Sequence, residues 1–198
     1  MTHFLFRSIA VILSLIPVSA FAHTGVGDTA GFVHGFSHPV SGIDHILAMV
    51  AVGILAYQLG GRALWLVPGT FVLVMALGGV LGIAGVPVPY IEVGIALSVV
   101  ILGAIIAAGV KAPVAIAMAI VGVFAIFHGH AHGAEMPVDA SGAEYAAGFM
   151  LGTALLHMAG LALGFLIGRI GEARGPNFVR AAGAATSLAG LALLIKLF

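Results

Sequence analysis

The sequence predicts an all-α integral membrane protein, a bundle of six transmembrane helices that follows a cleavable signal peptide. Of its 198 residues, 62% are hydrophobic and 7% are charged, whereas soluble domains are roughly 45–50% apolar and about 25% charged. Apolar runs near the ~20 residues that cross a bilayer recur along the chain. The alternation typical of transmembrane barrel strands does not appear, so helices are the only spanning elements that fit.

The first 22 residues are typical of a signal peptide. Arg7 supplies a positive charge, residues 9–16 form an apolar run, and Ala20-Phe21-Ala22 matches a small-residue cleavage pattern. An uncleaved first helix is the alternative. Cleavage after Ala22 would leave residues 23–198 as one six-helix domain, with His23 as its first residue.

Six spanning segments follow a glycine-rich stretch at 24–35. The predicted spans cover residues 40–59, 63–85, 90–109, 112–133, 143–168 and 178–197. Between them lie glycine pairs, prolines or charged residues, which end apolar runs. The 29 glycines suit such a bundle, because small residues let membrane helices approach closely.

The basic residues predict the orientation of the bundle. If the mature chain starts outside, five of them fall in cytoplasmic connections: Arg62, Lys111, Arg169, Arg174 and Arg180. The outer connections contain none, and only Lys196 lies outside. Because basic residues concentrate on the cytoplasmic side, we expect both mature termini to face the periplasm and the protein to lie in the inner membrane.

Composition excludes several functional classes. The net charge is zero and the basic residues are scattered, so the chain offers no surface for tracking nucleic acid phosphates. With no cysteine, it has no disulfide framework, cysteine zinc site or thiolate chemistry. It also lacks a phosphate-binding Gly-x-x-x-x-Gly-Lys-Ser/Thr loop. The nine histidines are the feature that needs a function.

The first histidine motif is at the start of the first predicted span. His38 and His45 are seven residues apart and would share a helix face, with Asp44 about 100° away. Imidazole and carboxylate together suit divalent transition metals, and a carboxylate at membrane depth is costly unless it is paired or bound. In the alternative interpretation, Asp44 accepts a hydrogen bond at a helix terminus and the histidines are interfacial polar residues.

The second motif closes the fourth predicted span, at the same outer level. His128 and His132 are related by i, i+4, and Glu135 continues that face, while His130 would point the opposite way. A surface tract that merely scavenges ions is the alternative. Two motifs at one depth predict a metal site between the first and fourth spans.

Four single residues extend this candidate site. Glu92, at the outer start of the third span, would help to neutralise an ion, or is a solvated interface residue. His157, about halfway down the fifth span, would receive the ion or a proton, or forms a helix-bridging hydrogen bond. His23 and His34 would collect metal from the periplasm.

Both motifs resemble those of the HupE/UreJ family of nickel/cobalt permeases. The resemblance rests on His38, five residues, then Asp44-His45, and on Phe-His-Gly-x-Ala-His-Gly-x-Glu at 127–135; it covers essentially the whole chain. It implies uptake of Ni²⁺ or, in some members, Co²⁺, supplied to hydrogenase or urease maturation or to cobalamin synthesis. It also implies the metal-handling positions: His38, Asp44, His45, His128, His132 and Glu135, with Glu92 as a further acidic position.

The function predicted from the sequence is therefore a divalent-metal permease, not an enzyme. The ion is cargo, and no prosthetic group is expected. Two other classes stay open. An intramembrane metal-dependent hydrolase or oxidase would turn over lipid, and a metal-binding sensor or chaperone would bind the ion without transporting it. Zn²⁺ suits the ligand types as well as Ni²⁺ or Co²⁺ does.

Overall fold

The computed structural model describes residues 30–137, 140–169 and 174–198, which form seven α-helices. The predicted signal peptide and His23 lie outside these residues. In chain order the helices are α1 (Ala30–Ser37), α2 (Ile43–Leu59), α3 (Ala63–Ile83), α4 (Ile91–Ala108), α5 (Val114–Ala134), α6 (Gly142–Gly168) and α7 (Gly175–Ile195). A short 3-10 turn, His38–Val40, connects α1 to α2.

Helices α3 to α7 are each long and apolar enough to cross a membrane. Helices α1 and α2 are bent by 78° relative to each other and make a sixth span if they are counted together. The bounds of α2 to α7 agree with the predicted spans to within a few residues. Large apolar side chains such as Trp65, Leu73 and Leu188 are exposed on the outside of the bundle, as lipid contact requires.

Helix α1 was not predicted, since part of its sequence was interpreted as a glycine-rich segment. In the structure, Gly35 of this helix allows close packing against α6 and is not part of a loop. A Cβ on Gly35 would collide with the carbonyl oxygen of Tyr145, and one on Gly148 would collide with that of Phe32. The two helices cross with their backbones nearly in contact, which only small residues permit.

The bend between α1 and α2 has a local cause. Pro39 lies within the 3-10 turn, and Gly42 adopts an extended conformation, with φ −105° and ψ 129°, just before α2. Proline removes a backbone donor and extended backbone ends helical hydrogen bonding. As a result, the side chains of His38 and of the first turn of α2 are brought to one end of the bundle.

The remaining helices pack in pairs, α3 against α5 and α4 against α7, while α2 packs against α6. At the last crossing, a Cβ built on Gly53 would lie 2.8 Å from the Cα of Gly160. The apolar core between the helices includes Met49, Leu55 and Phe71. The close crossing of α2 and α6 holds two of the histidine-bearing helices side by side, while the third, α5, is held against α3.

Candidate metal site

The first turn of α2 contains an oriented histidine–carboxylate pair. Asp44 Oδ1 accepts a hydrogen bond of 2.8 Å from the backbone N–H of His45 and lies 2.8 Å from His45 Nδ1. Because an ionised carboxylate only accepts hydrogen bonds, Nδ1 carries the imidazole proton. The lone pair of Nε2 is therefore directed away from Asp44, and this buried nitrogen has no hydrogen-bond partner among the described residues. Such pairing is typical of metal-binding histidines.

The histidines of α5 separate into two faces. His128 and His132 are 0% and 2% exposed and point into the bundle. His130 faces the other way, and its Nε2 donates to the carbonyl oxygen of Val86 at 2.6 Å. The helical spacing thus places His128 and His132 together and His130 apart, as the sequence predicts.

A serine that the sequence analysis did not identify orients His128. Ser98 Oγ donates to the carbonyl oxygen of Ile95 at 2.6 Å and lies 3.0 Å from His128 Nε2. Since the single hydroxyl proton is already used, Nε2 donates to Oγ. The Nδ1 lone pair of His128 then remains free, with no partner in the part of the chain that the structure describes. The sequence signal that could have identified this serine is the presence of a hydroxyl side chain within the otherwise apolar span of α4.

The two motifs meet at one end of the bundle. The ring centroids of His38 and His132 are 4.6 Å apart, those of His45 and His132 are 4.4 Å apart, and those of His45 and His128 are 4.8 Å apart. Phe149 on α6 packs against His132 with its ring centroid at 4.1 Å. No sequence signal distinguished this phenylalanine from ordinary core.

A cavity of about 200 Å³ opens beside this cluster. Its lining contains six side chains with ligand atoms: His38, Asp44, His45, Glu92, His132 and Glu135. Among these, one ligand atom each from His38, His132 and Glu135 lies within 4.8 Å of the others. The side chain of Glu135 is 57% exposed and that of His38 is 20% exposed, so the cavity is accessible from outside the bundle.

His157 lies deeper and does not line the cavity. It is 1% exposed, and neither ring nitrogen has a hydrogen-bond partner among the described residues. Phe71 contacts both deep histidines, with ring centroids 5.2 Å from His157 and 5.5 Å from His128. The helix-bridging hydrogen bond that was one interpretation of His157 is therefore not formed in the described structure.

The chain matches the model of the HupE / UreJ protein family over residues 11–193. It is also 48% identical to "Protein HupE" of Rhizobium leguminosarum bv. viciae, over 96% of this chain and 98% of that protein. The chain belongs to the HupE/UreJ family. This is a nickel/cobalt transport family, so the predicted class of transporter rather than enzyme agrees with it. No solved structure matches the chain.

The described residues of this HupE/UreJ protein bring most of the predicted site together. Six of the predicted residues line the cavity, His128 adjoins it, and the ring of Phe71 packs against both His128 and His157. His34, which was expected to collect metal, has its ring centroid 5.9 Å from that of His38. Neutral imidazoles combined with carboxylates form a ligand set that suits Ni²⁺, Co²⁺ or Zn²⁺.

Proposed function

We propose that the protein is an inner-membrane permease that takes Ni²⁺, and also Co²⁺, from the periplasm through the site between α2 and α5. The observation that carries this proposal is the cavity in which ligand atoms of His38, His132 and Glu135 lie within 4.8 Å of one another. Placing imidazoles and carboxylates inside an apolar bundle has a high free-energy cost. Binding of a transported cation accounts for their presence there.

In the first step, the ion exchanges water for protein ligands. The exposed carboxylate of Glu135 attracts the cation, and His38 and His132 supply imidazole nitrogens beside it. Glu92 and Asp44, on the cavity wall, balance the two positive charges. These charges matter because an unbalanced cation in a low-dielectric interior is strongly disfavoured.

In the second step, the ion moves inward along the buried nitrogens. His45 Nε2 and His128 Nδ1 are both buried and unpartnered in the described structure, and the two rings are 4.8 Å apart. His157 lies further in, and the ring of Phe71 packs against both it and His128. We infer that these three histidines bind the ion in succession.

Ligand type favours this cargo over softer metals. The site offers nitrogen and oxygen ligands and no thiolate, whereas Cu⁺ favours cysteine and methionine. Ni²⁺ or Co²⁺ entering by this route would supply hydrogenase or urease maturation or cobalamin synthesis, as the resemblance implies. Zn²⁺ is the ion that must be compared directly.

The deciding experiment measures metal entry into sealed liposomes that contain the purified protein. Ni²⁺, Co²⁺ and Zn²⁺ are each followed for the parent, for His45→Ala, and for His130→Gln. The last variant is the matched control, because His130 faces away from the site. Entry of Ni²⁺ or Co²⁺ that His45→Ala loses and His130→Gln keeps would support the proposal. Binding without entry would favour a sensor, and lipid turnover would favour an enzyme.

A further inference from the structure

A second, larger cavity of about 480 Å³ lies at the opposite end of the bundle. Tyr57 and Gln58, in the last turn of α2, line it, whereas Asp44 and His45, in the first turn of the same helix, line the metal cavity. The two cavities are therefore separated by most of the length of α2.

The charge of this second cavity is opposite to that of the metal cavity. Lys111 and Arg180 are on its wall, and no carboxylate lines it within the described ranges. Neither basic side chain has a carboxylate within 4.0 Å among those residues. A divalent cation would be repelled here, and an anion would be attracted. The described lining of this cavity therefore suits a ligand of opposite charge to that of the metal site.

The guanidinium of Arg180 is held in place by the end of α4. Its Nε donates a hydrogen bond of 2.8 Å to the carbonyl oxygen of Ala107. The side chain lies over Gly109, where φ is +66° and where a Cβ would approach Arg180 Nε to 3.4 Å. Since Nε is the nitrogen used, the two terminal NH₂ groups are left for a ligand, in the planar arrangement that suits phosphate oxygens.

Apolar side chains flank this basic pocket on the outer surface of the bundle. Val110, next to Lys111, is 44% exposed, and Phe178, between the lining residues Pro176 and Val179, is 48% exposed. A free anion would contact only the two basic side chains of the pocket. A phospholipid would also place its acyl chains against the exposed apolar residues. Basic pockets between transmembrane helices are known to bind anionic headgroups in this way.

We infer that this pocket binds the phosphate of an anionic phospholipid, with Lys111 and Arg180 as its charged contacts. The inference does not depend on which ion is transported or on whether transport occurs. It assigns a lipid site to the end of the bundle opposite the metal cavity.

The test is native mass spectrometry of the full-length protein titrated with phosphatidylglycerol or phosphatidylcholine. The variants are Lys111→Gln, the double variant Lys111→Gln/Arg180→Gln, and the matched control Arg62→Gln. Arg62 precedes α3 at the same end of the bundle but does not line the pocket. Each neutralised charge is expected to weaken phosphatidylglycerol binding about 5-fold, and both together about 25-fold. The control should bind as the parent does.

Three results would overturn the inference. One is equal binding of phosphatidylglycerol by the parent and both pocket variants. A second is binding of the zwitterionic phosphatidylcholine to the parent as tightly as phosphatidylglycerol. The third is displacement of the anionic lipid by millimolar inorganic phosphate, which would reassign the pocket to the free anion. Because Lys111 is an exposed loop residue, Lys111→Gln alone keeps the test valid if the double variant folds poorly.

Discussion

His38 Nε2 and Glu135 Oε2 lie 3.0 Å apart although 97 residues separate them in the chain. One residue follows α1 and the other follows α5, so this contact joins the two histidine motifs across the mouth of the cavity. An incoming ion would replace the contact by binding both side chains. The contact therefore lies where the first step of the proposed transport would take place, next to the bend between α1 and α2.

Glu135→Gln should reduce Ni²⁺ entry into proteoliposomes at least about tenfold, a loss in the range seen when groups around a metal are removed. The substitution preserves side-chain size but removes the negative charge that attracts the ion. His38→Ala should cause a similar loss. The double variant should be little worse than either single variant, because residues in one site are not additive.

Glu144→Gln is the matched control for this charge removal. Glu144 is an exposed carboxylate in the first turn of α6 and does not line the cavity. Ni²⁺ uptake by Glu144→Gln should equal that of the parent. Equal uptake by Glu135→Gln and the parent would contradict the role given to Glu135.

His157→Leu should leave the protein as stable as the parent, or more stable, and yet reduce metal entry. Neither ring nitrogen of His157 has a hydrogen-bond partner among the described residues, and the side chain is 1% exposed. A buried polar group without a partner is unfavourable, so an apolar side chain of similar size relieves that cost. Thermal unfolding in detergent and Ni²⁺ flux, measured on the same preparation, provide the two readouts.

The contrast between those readouts separates two roles. If His157 only bridged helices, its replacement would destabilise the protein, and Ni²⁺ flux would fall in proportion to the folded fraction. If His157 lies on the ion path, its replacement would reduce the flux alone. Metal binding measured at equilibrium should persist in His157→Leu, because His38, His132 and Glu135 are intact.

Helical spacing alone was enough to predict part of this site. Because i and i+4 residues share a helix face, His128 and His132 were predicted to lie together and His130 apart, and the structure agrees. The fold class followed equally directly from the length of the apolar runs. The use of these residues for metal stays a prediction.

Other parts of the site depend on tertiary packing and had no local signal. Phe149 is an ordinary apolar residue in sequence, and only the packing of the folded bundle brings its ring, on α6, against His132 of α5. Helix α1 was missed for a related reason. A glycine in a polar-flanked stretch looks the same whether it serves a loop or a close crossing, and only the partner helix, here α6, distinguishes the two.

Gly129→Ala should destabilise the protein by about 1–3 kcal/mol, the usual cost of overpacking. A Cβ at this position would collide with the carbonyl oxygen of Met75, where α5 crosses α3. Moving α5 would also displace His128 and His132, so Ni²⁺ entry should fall together with stability. Gly69→Ala is the control, because a Cβ there meets nothing within 4 Å. Because alanine favours the helix more than glycine does, Gly69→Ala should be neutral or stabilising, and equal loss of stability in both variants would contradict the role given to the crossing.

Single cysteines should report the orientation that the basic residues predict. The chain has no cysteine, so Ser141→Cys, at the exposed start of α6, and Asn177→Cys, at the exposed start of α7, each carry one reactive thiol. A membrane-impermeant maleimide added to spheroplasts should label position 141 and not position 177, because the basic connection before α7 is expected inside. Permeabilised membranes, in which both should react, are the control. The reverse pattern would place the metal cavity on the cytoplasmic side, and the site would then serve export or intracellular capture rather than uptake.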